Sequence, residues 1–416
     1  MAIAAVPAYL GRDFSTASPG LRFGMYLPLW GEDRRTGELV WETRDYKYEV
    51  RGQERTERRL PHENKVDAIR QALKLTPPDV AVMGALLKRQ SALALPIADA
   101  GLMLVSEAQA VAPFTTGLGN EHPLENGFAF LNPYGLPYLA GSGVKGVLRQ
   151  AARELVSGAW GDPQGWDDAA IDALFGHVCD DEDGLQRGAL TCWDVIPQLA
   201  GDALQVEVMT PHQSHYYQQN QNQNPHESGS PIPINFLTVP PGSGFVFHLQ
   251  CDVPFLQRIA PELVQDRRWH ALLNAALAHA FAWLGFGAKT AVGYGAMSVD
   301  QNAMRKSQIA WEERQRQRAD DAQALTREAE KTRMAPADRA MADLFDQRTD
   351  KNQDERSVLF TALKAGKLSE HRREAAQRLR ILMQAQKRWK EKTEKKNPEK
   401  DQPHQDTLLV QKWLSA

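Results

Sequence analysis

Two largely alternating segments and two amphipathic helical segments constrain the fold of this chain more than any other feature. Residues 204–209 and 245–251 mostly alternate apolar and polar side chains, which predicts strands with one face on a core. The helical segments begin after Gly143 and near Asp266, and each carries an apolar stripe at the spacing of a helix packed on a sheet. The order of these segments predicts an α+β fold with the split β-α-β-β-α-β arrangement of ferredoxin-like domains.

The predicted elements of this domain follow one another between residues 101 and 300. They are a strand at 102–114, a helix at 144–156, strands at 190–196 and 204–209, an inserted antiparallel hairpin of 234–239 with 245–251, a helix at 266–284 and a strand at 291–299. The turn of the hairpin is expected at 240–244, where two prolines and two glycines favour a reversal of the chain. The second helix is expected to bury Trp269, Leu272, Leu273, Ala276, Ala280, Trp283 and Leu284.

Length and composition indicate several folded regions in one chain. The chain has 416 residues and 42% apolar residues, enough for two or three domains with their own cores. We expect an irregular N-terminal region at 1–100 packed on the main domain, the main domain at 101–300 and a charged helical extension at 301–416. The absence of an apolar run long enough for a membrane span, with three isolated cysteines, predicts a cytoplasmic protein without a membrane partner.

The two parts of the chain differ in charge. Residues 301–416 contain 26 Lys and Arg against 19 Asp and Glu, which leaves 23 against 33 for residues 1–300. Much of the positive excess lies at 363–400, a segment able to attract a polyanion or an acidic neighbour. The alternative is a helical face that is simply solvated.

The start of the first long helix combines glycines, a hydroxyl and cations. The sequence Gly-Ser-Gly-Val-Lys-Gly at 141–146 matches the dinucleotide fingerprint, but a loop with two prolines precedes it instead of a buried strand. Ser142, Lys145 and Arg149, with Arg153 one turn further, nevertheless offer a hydroxyl and positive charge to a phosphate. An ordinary helix with a solvated basic stripe is the alternative.

A glycine-rich segment at 285–295 is the most distinctive stretch of the sequence. It resembles a P-loop, yet Ala288 replaces the required glycine and the segment follows a helix instead of a strand. A flexible backbone with hydrogen-bond donors and one stacking ring suits single-stranded RNA, whereas a plain turn needs fewer glycines. The predicted contacts here are Gly285, Gly287, Lys289, Thr290, Gly293, Tyr294 and Gly295.

Histidines and tyrosines follow the strand at 204–209. His212 and His215 lack the further ligands at a recognised spacing that zinc requires, so no metal is predicted. A histidine with Tyr216 and Lys289 also supplies the acid and base groups that metal-independent RNA cleavage requires. The spacing alone does not decide whether these groups meet.

Taken in order, these motifs resemble the RAMP proteins of CRISPR effector complexes, in particular the family of the sixth RAMP subunit of the type III-B complex. The resemblance covers about residues 18–297. The matching stretches are 18–23, 117–119, 136–149, 174–176, Asp194, 208–212 and 284–295. One departure is Gly143, which stands where the family commonly has a second serine.

The resemblance implies an RRM-like fold and a non-catalytic subunit that holds the 3′ part of the guide RNA and supports pairing with target RNA. It implies RNA contacts at Ser142, Lys145, Arg149, His212 and the glycine-rich segment, with guide RNA, target RNA and other RAMP subunits as partners. It implies no catalytic residue, metal or cofactor. Two alternatives remain open: a guide-processing endoribonuclease that uses His212, Tyr216 and Lys289, and a scaffold without RNA contacts of its own.

Overall fold

The computed structural model divides the chain into two compact units, residues 1–311 and 312–416. It describes residues 4–32, 36, 39–41, 45–58, 65–124, 126–177, 186–210, 233–348, 350, 352–393 and 398–415.

The first unit contains all the described strands, and the last helices form the second unit. The strands are β1 (Trp30–Glu32), β2 (Leu39–Trp41), β3 (Asp45–Val50), β4 (Gln53–Arg58), β5 (Met103–Ala110), β6 (Phe130–Leu131), β7 (Leu136–Pro137), β8 (Gly176–His177), β9 (Gln186–Arg187), β10 (Leu190–Cys192), β11 (Gln205–Met209), β12 (Ile234–Thr238), β13 (Gly244–Cys251) and β14 (Met297–Val299). The α-helices are α1 (Pro19–Phe23), α2 (Lys65–Arg70), α3 (Pro77–Asp99), α4 (Gly141–Val156), α5 (Asp168–Phe175), α6 (Val253–Ile259), α7 (Arg268–His279), α8 (Gln301–Arg333), α9 (Pro336–Asp346), α10 (Glu355–Lys364), α11 (Arg372–Ala385) and α12 (Gln402–Ser415).

A four-stranded antiparallel sheet forms the centre of the first unit. Its strand order is β10-β13-β5-β14, and α4 and α7 connect its strands in the β-α-β-β-α-β sequence. This order is the ferredoxin-like arrangement, so the α+β prediction is confirmed. Phe245, Phe247 and Leu249 on alternate positions of β13 are almost completely buried, as the alternation of that strand predicts.

The predicted hairpin of 234–239 with 245–251 is wrong. β12 pairs instead with β11, from Gln205 opposite Thr238 to Met209 opposite Ile234, whereas β13 pairs with β5 and β10. The chain does reverse at 240–244, where the Ser243 hydroxyl donates to the carbonyl oxygen of Pro240 at 2.7 Å. The reversal therefore carries the chain from the β11–β12 sheet to the central sheet. The prediction failed because alternation indicates which face of a strand is buried but not which strand it pairs with.

Two boundaries near the end of this domain also differ from the prediction. The helix expected to 284 changes into a wider π turn over Ala280–Leu284, and Trp283, expected inside, is 65% exposed. A π turn adds a residue to one turn of the helix and so moves the following side chains off the apolar stripe. The strand expected at 291–299 is only Met297–Val299, because a 3₁₀ turn at Thr290–Val292 and Gly293, with positive φ, occupy its first half.

The second unit has a hydrophobic core of its own. Nine of its ten buried members come from four helices and include Met341, Leu359, Leu379 and Val410. The long helix α8 crosses the boundary between the two units and has no buried residue.

One described helix, α3, has the length and apolar composition that a membrane span requires. Core helices of other proteins meet the same criterion, and Lys88 and Arg89 lie in the middle of this one.

Candidate nucleic-acid interface

The glycine-rich segment forms a loop that is closed at its base. The amide of Phe286 donates to the carbonyl oxygen of Gly295 at 3.0 Å, and the Phe286 ring is completely buried. Gly295 has a φ of +69°, and a Cβ at this position would lie 1.8 Å from the Phe286 carbonyl oxygen. Only glycine fits this backbone, which explains why one of the four glycines of the segment is a glycine.

The loop is fixed to the segment that follows β5. The amide of Ala288 donates to the carbonyl oxygen of Thr115 at 2.8 Å, and the amide of Gly295 donates to that of Pro113 at 2.8 Å. Gly287 also lies against Thr115, since a Cβ there would be 2.2 Å from the same carbonyl oxygen. The loop is thus held in one position on the central sheet.

Two of the three polar side chains of the loop, Lys289 and Tyr294, point towards the β11–β12 pair. Lys289 Nζ lies 3.1 Å from Met209 Sδ and 5.4 Å from the centroid of the Phe236 ring. The Tyr294 hydroxyl donates to Glu207 Oε2 at 3.4 Å, and its ring contacts Phe236 edge-on at 5.4 Å. Burial, and then the charge of Glu207, raise the pKa of Tyr294 above its usual range, so this phenol stays protonated and donates.

The tip of the loop faces solvent. Val292 is 70% exposed, and a Cβ on Gly293 would meet open space. Thr290 lies half-buried at the beginning of the 3₁₀ turn. The tip therefore presents mainly backbone groups and a hydroxyl to solvent, whereas Lys289 and Tyr294 contact β11 and β12.

The start of α4 is capped from within the domain. The amide of Gly141 donates to Asp194 Oδ1 at 2.7 Å, and a Cβ on Gly141 would lie 2.1 Å from the carbonyl oxygen of Cys192. The Asp194 carboxylate thereby stabilises the positive end of the helix dipole. Ser142, the next residue, is exposed.

Lys145 and Arg149 are half-buried and bind backbone carbonyl groups. Lys145 Nζ lies 3.4 Å from the carbonyl oxygen of Leu190, and Arg149 Nη2 donates to that of Gly176 at 3.0 Å. Arg149 Nε is buried without a hydrogen-bond partner among the described residues. The stripe predicted on this helix is thus only partly solvated, since Lys145 and Arg149 are half-buried and only Arg153 of the three is exposed.

The structure divides the predicted site residues into two groups. Lys289 and Tyr294 meet at the Phe236 ring, whereas Lys145 and Arg149 contact the carbonyl groups of other elements. His212, His215 and Tyr216, with Cys179, lie outside the described residues. In the part of the chain that is described, no group of three or more His, Cys, Asp and Glu side chains is arranged to hold a metal ion.

Three residues that shape this surface were not predicted as contacts: Glu207, Phe236 and Met209. Their positions on alternating strands were visible in the sequence, but the pairing that brings them to the loop was not. Glu207 is the only acidic residue of the predicted strand at 204–209, and Phe236 is the only aromatic residue of the predicted strand at 234–239.

Comparison with known proteins places this surface in a described superfamily. Residues 107–298 match the model of the RAMP superfamily. The CRISPR system Cmr subunit Cmr6 of Pyrococcus furiosus is 29% identical over 226 residues, which are 43% of this chain and 63% of the relative. The match thus extends over less than two thirds of the length of that relative.

Three solved structures are also similar. The type III-B Cmr-beta complex bound to cognate target RNA, determined by cryo-EM, has a chain with 18% identity and a TM-score of 0.38, over 58% of this chain and 72% of that one. The crystal structure of Cmr6 from Pyrococcus furiosus gives 24% identity and a TM-score of 0.25, over 47% of this chain and 97% of that one. A chain of a type IV-B CRISPR complex has 16% identity and a TM-score of 0.29, over 48% of this chain and 91% of that one.

Proposed function

Residues 107–298 form a RAMP superfamily domain, and on that premise we propose that the chain is a non-catalytic, RNA-binding subunit of a type III-B CRISPR effector complex. In this role it holds the 3′ part of the guide RNA, supports pairing with the target RNA and assembles with other RAMP subunits. The similarity to the Cmr6 subunit of Pyrococcus furiosus supports this assignment over other RAMP proteins.

One observation carries the proposal: the family match and the ferredoxin-like sheet cover the same stretch of chain. The match begins in β5 and ends in β14, the first and last strands of the β-α-β-β-α-β order. The glycine-rich loop lies inside this stretch and is tied to the sheet at Pro113 and Thr115. The family resemblance and the geometry of the loop therefore support the same surface.

The contacts of the two lysines favour binding of an RNA backbone. Lys289 Nζ is held by a thioether and an aromatic face, and Lys145 Nζ by a single carbonyl oxygen at 3.4 Å. These partners are weaker than a phosphate, which accepts charge-assisted hydrogen bonds. A phosphate group can therefore replace the present partner of either ammonium group at little cost. Base pairing between guide and target supplies the sequence specificity.

The test uses the full chain with labelled CRISPR-repeat-derived RNA in EDTA, with binding and cleavage followed on one gel. We expect binding without cleavage, and a Lys145→Ala/Lys289→Ala variant that binds about tenfold more weakly at 0.1 M salt. The slope of log affinity against log salt concentration should fall by about 1.4, since each phosphate contact contributes ~0.7 for a single strand. Lys74→Ala/Lys88→Ala removes two exposed lysines elsewhere in the same unit and serves as the control.

The other outcomes each reject a part of the proposal. Equal binding by both double variants would reject the two lysines as contacts. Cleavage that His212→Ala abolishes would establish the endoribonuclease instead. The absence of any binding by the full chain would favour a scaffold that contributes no RNA contact.

A further inference from the structure

The second unit carries a dense positive segment between the end of α10 and the loop after α11. Residues 364–392 contain ten Lys and Arg and three Asp and Glu. Nine of the ten cations are exposed, and only Arg372 is half-buried. Within the ranges that the structure describes, none of these nine forms an ion pair with a carboxylate. The charge is therefore available to a partner.

Helix α11 arranges part of this charge as a stripe on an exposed face beside the face that packs on the core. Ala375, Ala376, Leu379 and Met383 are the buried residues of this helix. Arg373, Gln377, Arg380 and Gln384 are all exposed and follow one another at i, i+4, i+7 and i+11. This spacing places the four side chains on one face of the helix, with the two arginines about 10 Å apart along its axis.

One of these arginines is held in a fixed orientation. The guanidinium carbon of Arg380 lies 5.2 Å from the centroid of the Trp389 ring. Trp389 is itself anchored, because it packs against the core of the second unit and its indole nitrogen donates to Glu391 Oε1 at 3.0 Å. A guanidinium stacked on an anchored indole keeps its donors free and loses less conformational freedom on binding.

We propose that this stripe, together with the exposed Lys387, Arg388 and Lys390, binds the phosphate backbone of a nucleic acid. We call these seven residues the α11 surface. The chemistry matches, since arginine, lysine and glutamine side chains supply most of the protein donors to phosphate groups. The proposal does not rest on the function assigned to the RAMP domain, because the α11 surface lies entirely in the other unit.

The composition of the α11 surface favours a polynucleotide over an acidic protein. A stable protein interface needs an apolar centre. Among the described residues of 364–392, Ile381 is the only strongly exposed large apolar side chain. Charge, amides and one stacked guanidinium are sufficient for a phosphate backbone.

The experiment measures binding of a fluorescein-labelled, mixed-sequence single-stranded RNA to the full chain by anisotropy, at several KCl concentrations. The test variant is Arg373→Gln/Arg380→Gln/Lys387→Gln/Lys390→Gln. The control, Arg316→Gln/Arg327→Gln/Arg333→Gln/Lys412→Gln, removes the same charge from exposed positions elsewhere in the second unit. Glutamine preserves the helix propensity at the helical sites, and circular dichroism checks that both variants are folded.

We expect the test variant to lose at least tenfold in affinity at 0.1 M KCl, and the control less than threefold. The salt slope should fall by up to about 2.8 for four lost contacts, at ~0.7 each. Equal losses in the two variants would overturn the proposal, since net charge alone would then explain the binding. Displacement of the RNA by polyglutamate at equal anion concentration would also overturn it, in favour of an acidic protein partner. The Lys145→Ala/Lys289→Ala variant, run beside these, reports separately on the RAMP domain.

Discussion

Gly293 and Gly295 of the glycine-rich loop make a matched pair for a stability experiment. Both have positive φ, +96° and +69°, so alanine is strained at either position. They differ in surroundings: a Cβ on Gly293 meets nothing within 4 Å, whereas one on Gly295 would lie 1.8 Å from the Phe286 carbonyl oxygen. The substitutions Gly293→Ala and Gly295→Ala therefore share the backbone strain, and only the second adds a collision.

The difference between the two variants can be estimated from the hydrogen bonds at stake. An alanine in the left-handed region costs about 1–2 kcal/mol at either position. An ordinary van der Waals contact is longer than this 1.8 Å approach by more than 1 Å, so Gly295 must move by more than 1 Å to relieve the collision. This movement breaks its hydrogen bonds to Phe286 and Pro113. Each such bond contributes about 1 kcal/mol net. Gly295→Ala should thus destabilise the first unit by about 3–4 kcal/mol, some 2 kcal/mol more than Gly293→Ala.

Urea denaturation followed by tryptophan fluorescence measures this difference, because eight of the ten tryptophans lie in the first unit. The expected result is a markedly lower midpoint for Gly295→Ala and a small shift for Gly293→Ala. Equal midpoints for the two variants would refute the reasoning, since the loop base would then not be closed as described.

Two further predictions concern buried groups of the first unit. Burial lowers the pKa of His248 from 6.5 to about 4 in the folded chain. As the pH falls below 6.5, the unfolded chain therefore binds a proton at this histidine that the folded chain does not bind. Stability should therefore fall by about 2 kcal/mol between pH 7 and pH 5, and His248→Leu should remove this part of the pH dependence in urea titrations at the two pH values. The Arg22 guanidinium donates to the carbonyl oxygens of Ala17, Gln71 and Lys74. Arg22→Met should cost about 3 kcal/mol, by differential scanning calorimetry, and an unchanged melting temperature would contradict this.

The sheet of the RAMP domain could be predicted from the sequence because local periodicity marks each of its elements. The alternation at 245–251 and the apolar stripe at 144–156 both correspond to observed elements, and the order of elements then fixes the fold. The pairing of 234–238 could not be predicted in the same way. Periodicity reports which face of a strand is buried, whereas the choice between β11 and β13 depends on contacts far apart in the sequence.

The candidate site shows the same limit. The glycines at 285–295 indicated an unusual backbone, and positive φ values at four of them show why glycine is needed there. The partners of Lys289 and Tyr294 were not foreseen, because Glu207 and Phe236 reach them only through the β11–β12 pairing. The expectation that Trp283 faces the core failed at a π turn, which no residue type marks in advance.

The position of β14 beside β5 determines how the RAMP domain connects to the rest of the chain. Val299 pairs with Ala108, and the amide of Asp300 donates to the carbonyl oxygen of Glu107 at 2.9 Å. The chain therefore leaves the domain beside the strand through which it entered. Domains with adjacent ends tolerate circular permutation and insertion into other proteins. The second unit, which follows β14 and has a core of its own, can accordingly have been gained or exchanged in evolution without rebuilding the sheet.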